Sequence, residues 1–151
     1  MANKDAVIAA IATLQGEIEQ AVAQMPEQTW AEGGWNARQI LCHIASMSGT
    51  AGFTLGIASL PSAPSLGGGF DENAFNAQLV AARESKSNGE LLAEIKSNFE
   101  RDIDAVRAAP DYLLQKHFRA WDVEGELGDV IVESLNGHIR MHLADLRSAS
   151  A

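Results

Sequence analysis

The sequence predicts an all-α fold, a four-helix bundle with a long connection and a short loop or hairpin before the last helix. Four segments carry apolar residues at spacings of three and four, which is the period of a helix with one buried face. No strand pattern alternates with these segments, so an α/β fold is not expected. With 151 residues and 46% hydrophobic content the chain can bury one core, and residues 1–151 are expected to form a single domain.

The first two helices have clear boundary signals. An apolar stripe defines the first helix, which Pro26 ends. The stripe consists of Val7, Ile8, Ile11, Leu14, Ile18, Val22 and Met25. The second helix begins at Asn36, which can cap it while Gln39 reaches back to the cap backbone, and Trp35 before the cap is expected to pack on Ile40. We expect this helix to run to about Leu60 with an inward seam formed by Ile40, His43, Met47 and either Thr50 or Ala51.

The second half of the chain contains two more helical segments. Residues 61–69 are rich in proline, serine and glycine and are predicted to be a flexible loop. A helical segment begins at Asp71, breaks near residues 85–89 and restarts at a second capping box, Ser87 with Glu90, before ending at Pro110. Residues 113–128 lack a helical period and are expected to form a long loop or short hairpin over one end of the bundle. The last helix should start near Asp129 with the inward stripe Ile131, Leu135, His138, His142 and Leu146.

Composition excludes several classes of protein. The net charge of −9 and the scattered basic residues make nucleic acid and anionic lipid surfaces unlikely partners. The single cysteine, Cys42, cannot form an internal disulfide, so a cytoplasmic location is expected. Residues 6–14 are apolar but lack the flanks of a signal peptide, and we find no apolar stretch of the roughly 20 residues that span a bilayer. The chain is therefore expected to be neither exported nor inserted in a membrane.

Three histidines occupy positions where a bundle normally has apolar residues. His138 and His142 are four residues apart, so their rings lie on one helix face, and His43 points inward from the second helix. Neutral imidazoles suit zinc, nickel, copper or iron, and three of them leave open positions for water or substrate. The alternative is a bundle with three core histidines and no metal. We favour the metal because burying three unpartnered imidazoles would cost a few kcal/mol each.

Other residues near these histidines are assigned ordinary roles. Ile139 follows His138 where a zinc protease would have its general-base glutamate, so that activity is excluded. His117 is interpreted as a surface or loop residue, and Cys42 as a small core residue because it points about 100° away from its neighbour on the helix. Three polar residues could orient the ligands but are expected to be solvated or local groups: Glu133, Ser134 and Asp145.

Two segments resemble the signatures of a known family. Residues 35–44, WNARQILCHI, resemble the Trp-Ser-x-Arg-x-x-Leu-x-His-Leu motif of the DinB/YfiT-like metalloenzyme superfamily, and residues 137–147 resemble its closing His-x-x-x-His helix. The resemblance extends from Val7 to Arg147, with residues 70–76 and the helix after Ser87 in place of the family's middle helices. Asn36 stands where serine or threonine is usual, but asparagine caps a helix equally well.

The resemblance implies a function as well as a fold. It implies a DinB-like four-helix bundle, often a homodimer, with one divalent ion, nickel or zinc, held by His43, His138 and His142. Some members, such as mycothiol-dependent maleylpyruvate isomerase and bacillithiol transferases, use a low-molecular-weight thiol. We therefore expect a metal-dependent thiol S-transferase, isomerase or hydrolase that acts on a small molecule. The alternative is a non-enzymatic, stress-linked metal- or ligand-binding bundle. No residue is assigned as a general acid or base.

Overall fold

The computed structural model describes residues 2–26, 28, 30–62 and 64–151. In this part of the chain, a two-stranded sheet accompanies a series of helices. The elements are α1 Lys4–Ala23, α2 Ala37–Met47, α3 Thr50–Ala58, α4 Glu72–Ala81, α5 Asn88–Ala108, α6 Asp111–Leu114, β1 His117–Ala120, β2 Val123–Glu126, α7 Leu127–Ser134, the π-helical turn Leu135–Ile139 and α8 Arg140–Ser150.

Four helical rods form the bundle, as the sequence predicted. They are α1, the pair α2 and α3, α5, and the rod made of α7, the π-helical turn and α8; α1 packs on α5 and α2 packs on α8. Their apolar stripes meet in one core. The largest fully buried side chains are Ile11, Leu14, Ile18, Leu41, Ile44, Leu91, Ile95, Phe99, Leu127, Ile139, Leu143 and Leu146. The helix α4 lies outside this bundle against α2, and Val80 is its one buried residue.

The predicted helix starts are confirmed by their hydrogen bonds. The Asn36 side chain accepts from the Gln39 backbone N–H at 3.1 Å, and the Gln39 side chain accepts from the Asn36 N–H at 3.0 Å. Ser87 and Glu90 form the same reciprocal pair at the start of α5, and Asp71 caps α4. Each box satisfies two backbone donors that a helix end otherwise leaves unpaired.

The second predicted helix is interrupted at Ser48 and Gly49, which the apolar period did not show. The buried carboxylate of Asp102 on α5 accepts from the Gly52 backbone N–H at 2.9 Å and so caps the new helix α3 from another element. A Cβ atom at position 52 would lie 2.8 Å from Asp102 Oδ1, so this contact requires glycine. Asn98 donates to the Ser48 hydroxyl at 2.8 Å beside it.

The sequence interpretation that no apolar run reaches membrane-spanning length is wrong. Residues Ala37–Ala58 form a 22-residue helical run with a mean hydropathy of 1.4, which is long and apolar enough to cross a membrane by length and composition alone. Arg38 is its single charged residue. Burial against the other helices accounts for the composition, because 56% of the most apolar window lies inside the bundle.

The region before the last helix forms the hairpin that was one of the two predicted possibilities. Strands β1 and β2 pair antiparallel with His117 opposite Glu126 and Ala120 opposite Val123. The predicted loop crosses the hairpin, since Leu66 donates to the Arg119 carbonyl and accepts from the Trp121 N–H at 2.7 Å. The loop and hairpin therefore hold each other at one end of the bundle.

Candidate metal centre

The structure brings together the three histidines that the sequence singled out. His43 comes from α2, His138 from the π-helical turn and His142 from α8. One ring nitrogen from each lies within 4.8 Å of the other two. The Nε2 atoms of His43 and His142 are 3.1 Å apart, and the ring centroids of His138 and His142 are 4.9 Å apart. Three imidazoles from two rods of the bundle thus converge on one point.

The predicted inward stripe of the last helix is partly wrong. Ile139 and Leu143 are buried in the core, whereas His138 is exposed and His142 is half-buried, so both histidines lie on the flank of the stripe. The cause is the π-helical turn, which is wider than an α-turn and changes the register of all that follows. Only His43 is a buried histidine, at 2% exposure. The expected cost of burying three imidazoles therefore applies to one of them.

Burial and charge repulsion favour the neutral form of His43 and His142. Desolvation first, and then charge repulsion by His142 and His138, lower the pKa of His43 to about 4. Desolvation is also the largest cause that lowers the pKa of His142, with repulsion by His138 next, while Asp145 opposes the shift. Near neutral pH, His43 and His142 therefore present lone pairs, the form in which imidazole binds a metal ion.

The three residues fit a divalent ion. Nitrogen ligands lie about 2.0–2.1 Å from zinc, so two ligands at the tetrahedral angle are about 3.4 Å apart. The 3.1 Å between the Nε2 atoms of His43 and His142 is close to this distance, and the 4.8 Å bound on the set requires shifts of up to about 1.4 Å. The Nδ1 atom of the buried His43 has no hydrogen-bond partner within the described ranges, so this ring has few polar contacts other than His142. The Nε2 atom on the other side of the ring faces His142, and a metal ion there would add a favourable interaction to this buried imidazole.

The surroundings of the histidines include one feature that the sequence did not indicate. The ring of Trp35, which was expected to pack on Ile40, lies with its centroid 5.0 Å from that of His43 and is 40% exposed. Of the three polar candidates, Asp145 comes closest, with Oδ2 3.6 Å from His142 Nδ1. Glu133 is exposed, and the buried Ser134 hydroxyl has no hydrogen-bond partner in the part of the chain described.

The remaining sequence assignments agree with the structure. His117 lies on the hairpin with its side chain 72% exposed, and it pairs with Glu124 at 2.9 Å, far from the other histidines along the chain. Cys42 is a fully buried free thiol whose pKa is raised by burial, which is the behaviour of a small core residue. Neither residue belongs to the cluster.

The fold can be compared with a solved structure. The chain matches YfiT from Bacillus subtilis, described as a probable metal-dependent hydrolase with an unusual four-helix bundle topology, at a TM-score of 0.71 and 20% sequence identity. The match covers 97% of this chain and 85% of that chain. No family model matches the sequence, and no curated protein matches it. The chain therefore has the four-helix bundle fold of YfiT, the fold that the two sequence signatures implied.

Proposed function

We propose that this protein binds one divalent metal ion through His43, His138 and His142 and uses it to hydrolyse a small-molecule substrate. The observation that carries the proposal is the convergence of three ring nitrogens from two segments that are far apart in sequence. The description of YfiT as a probable metal-dependent hydrolase supports hydrolysis among the reactions that the sequence left open. Catalytic residues other than the three ligands are not part of the proposal.

The three histidines would have different tasks. His43 is a buried, neutral ligand fixed by the core around α2. His142 lies against it, and Asp145 is placed to orient the His142 ring through Nδ1. His138 is exposed, so a substrate can approach from its side of the cluster. A bound divalent ion supplies a Lewis acid and lowers the pKa of a neighbouring water or thiol, which provides a nucleophile near neutral pH.

Several finer features remain predictions. Nickel or zinc as the ion, a low-molecular-weight thiol as a cosubstrate and a homodimer rest on the sequence resemblance, whereas a cytoplasmic location rests on the single cysteine. The hydrogen bonds of Leu66 tie the loop to the hairpin, and the ion pair of His117 with Glu124 joins the two strands of the hairpin. The Asp145 carboxylate on α8 lies 3.6 Å from the Nδ1 atom of His142 and is a polar partner for the ligand rings from within the last rod.

The test compares metal-free protein with protein loaded with nickel or zinc. We expect the loaded protein to hydrolyse members of a panel of simple esters and amides, and His142→Ala to lose this activity while His117→Ala keeps it. The same panel with an added low-molecular-weight thiol distinguishes transfer to sulfur from hydrolysis. Metal binding without turnover of any substrate would instead support the non-enzymatic alternative.

A further inference from the structure

Trp35 is an exposed aromatic residue in a rigid position beside the histidine cluster. It directly precedes Asn36, whose backbone and side chain are both fixed by the capping box with Gln39. The Gln39 side chain also donates to the Ala31 carbonyl at 3.0 Å, which holds the approaching chain. The indole ring is inclined at 44° to the His43 ring and leaves 40% of the residue open to solvent. This position presents a flat apolar surface next to the proposed ligands.

A second large exposed apolar residue is close in sequence to the exposed ligand. Met141 is 52% exposed and lies three residues after His138, a spacing at which helical residues are neighbours on one face. Trp35 lies beside His43 before α2, and Met141 on α8 follows His138, so each of the two rods that supply the ligands also carries an exposed apolar residue near them. Exposed apolar groups clustered around polar residues are typical of ligand-binding surfaces.

We propose that the substrate carries an aromatic ring, or a similarly flat apolar group, that packs against Trp35 with Met141 beside it. The reactive group of the substrate would then lie at the three histidines. This proposal rests on the proposed function, because it assigns a substrate class to that metal site. Trp35 is a good contact surface because its ring is large and held by the fixed start of α2. Methionine adapts its shape to different rings and makes favourable contacts between sulfur and aromatic groups.

Two hydroxamates of different size provide a direct test. Acetohydroxamate and benzohydroxamate carry the same metal-binding group, but only the second has a ring that can reach an adjacent aromatic surface. We expect the metal-loaded protein to bind benzohydroxamate about tenfold more tightly, a ratio within the range of aromatic contacts with added apolar burial. In Trp35→Ala this ratio should fall to about twofold, with the affinity for acetohydroxamate nearly unchanged. Titration calorimetry on protein of known metal content measures both affinities.

Further variants distinguish the loss of the aromatic contact at Trp35 from a loss of folding. Trp121→Ala is a matched control, since Trp121 is 38% exposed but lies on the hairpin. Trp121→Ala should keep the wild-type ratio of the two hydroxamate affinities. If Trp35→Ala does not fold or does not load metal, Trp35→Leu and Met141→Ala provide the same measurement, and each should reduce the ratio. An unchanged ratio in a folded, loaded Trp35 variant would overturn the substrate assignment. Failure of both hydroxamates to bind because the wild-type protein holds no metal would instead count against the proposed function.

Discussion

The carboxylate that caps α3 makes stability depend on pH in a way that one substitution should remove. Asp102 is 2% exposed, and its Oδ2 atom is buried without a hydrogen-bond partner among the described residues. Burial raises the pKa of Asp102 from 3.8 to about 6, although the N–H groups of Gly52 and Ala51 oppose the shift. The folded chain therefore holds this proton more tightly than the unfolded chain does.

The sign and size of the effect follow from proton linkage. Because the folded pKa is raised, the contribution to stability is fully present below pH 3.8 and is lost as the pH rises through about 6. Between about pH 5 and about pH 8, the two pKa values give a loss of about 1 kcal/mol in the free energy of unfolding. In Asp102→Asn, the amide does not titrate and its oxygen can still accept from the Gly52 N–H. The stability of this variant relative to wild type should therefore rise by about 1 kcal/mol over that pH range.

Urea unfolding of metal-free protein, followed by circular dichroism at several pH values, measures this difference. Asp104→Asn is the control on the same helix, because the Asp104 side chain is 75% exposed and changes its surroundings little on unfolding. The difference in free energy of unfolding between variant and wild type should not change with pH for Asp104→Asn. For Asp102→Asn it should increase as the pH rises. A flat difference for Asp102→Asn between about pH 5 and about pH 8 would show that folding does not raise the pKa of this carboxyl, and the assignment would be wrong.

Three further outcomes test the site and the packing. His142→Ala should lower metal affinity by orders of magnitude and keep its helical content, whereas His117→Ala should leave metal binding intact. Circular dichroism and metal titration of both variants measure these properties, and the reverse pattern would refute the ligand assignment. Gly16→Ala, with open space at its Cβ position in α1, should stabilise the fold by about 0.5–1 kcal/mol, whereas Gly52→Ala should destabilise it because its Cβ would meet Asp102. Acid should release the ion steeply with uptake of several protons, as the ligand imidazoles must be neutral; retention well below pH 4 would indicate carboxylate ligands.

Much of the bundle could be predicted because its signals are local. The two capping boxes, the proline that ends α1 and the apolar stripes are short-range features, and each corresponds to an observed helix boundary or buried face. The cap of α3, which begins after the break, could not be predicted from local signals. The N–H of Gly52 donates to Asp102, which is 50 residues away in sequence and is brought close by tertiary packing.

The register of the last rod was missed for a different reason. The residues Ile131, Leu135, Ile139 and Leu143 follow each other at spacings of four, and all of them are buried. An ideal α-helix would rotate such a row gradually away from the core, whereas a wider turn keeps it facing inward. The regular helix α5 has the same spacing at its buried residues Leu91, Ile95 and Phe99, so the run of fours did not by itself indicate a π-helical turn. The predicted stripe combined Ile131 and Leu135 of this row with His138 and His142, which lie beside the row.

The proposed metal site depends most directly on how many ions the purified chain binds. The protein should be stripped with a chelator, incubated with nickel or zinc, freed of excess metal and analysed for its elemental content. We predict close to one ion per chain for the wild type and close to none for a variant in which His43, His138 and His142 are all replaced by alanine. A wild-type chain that retains no metal, or a triple variant that retains as much as the wild type, would contradict the three-histidine site.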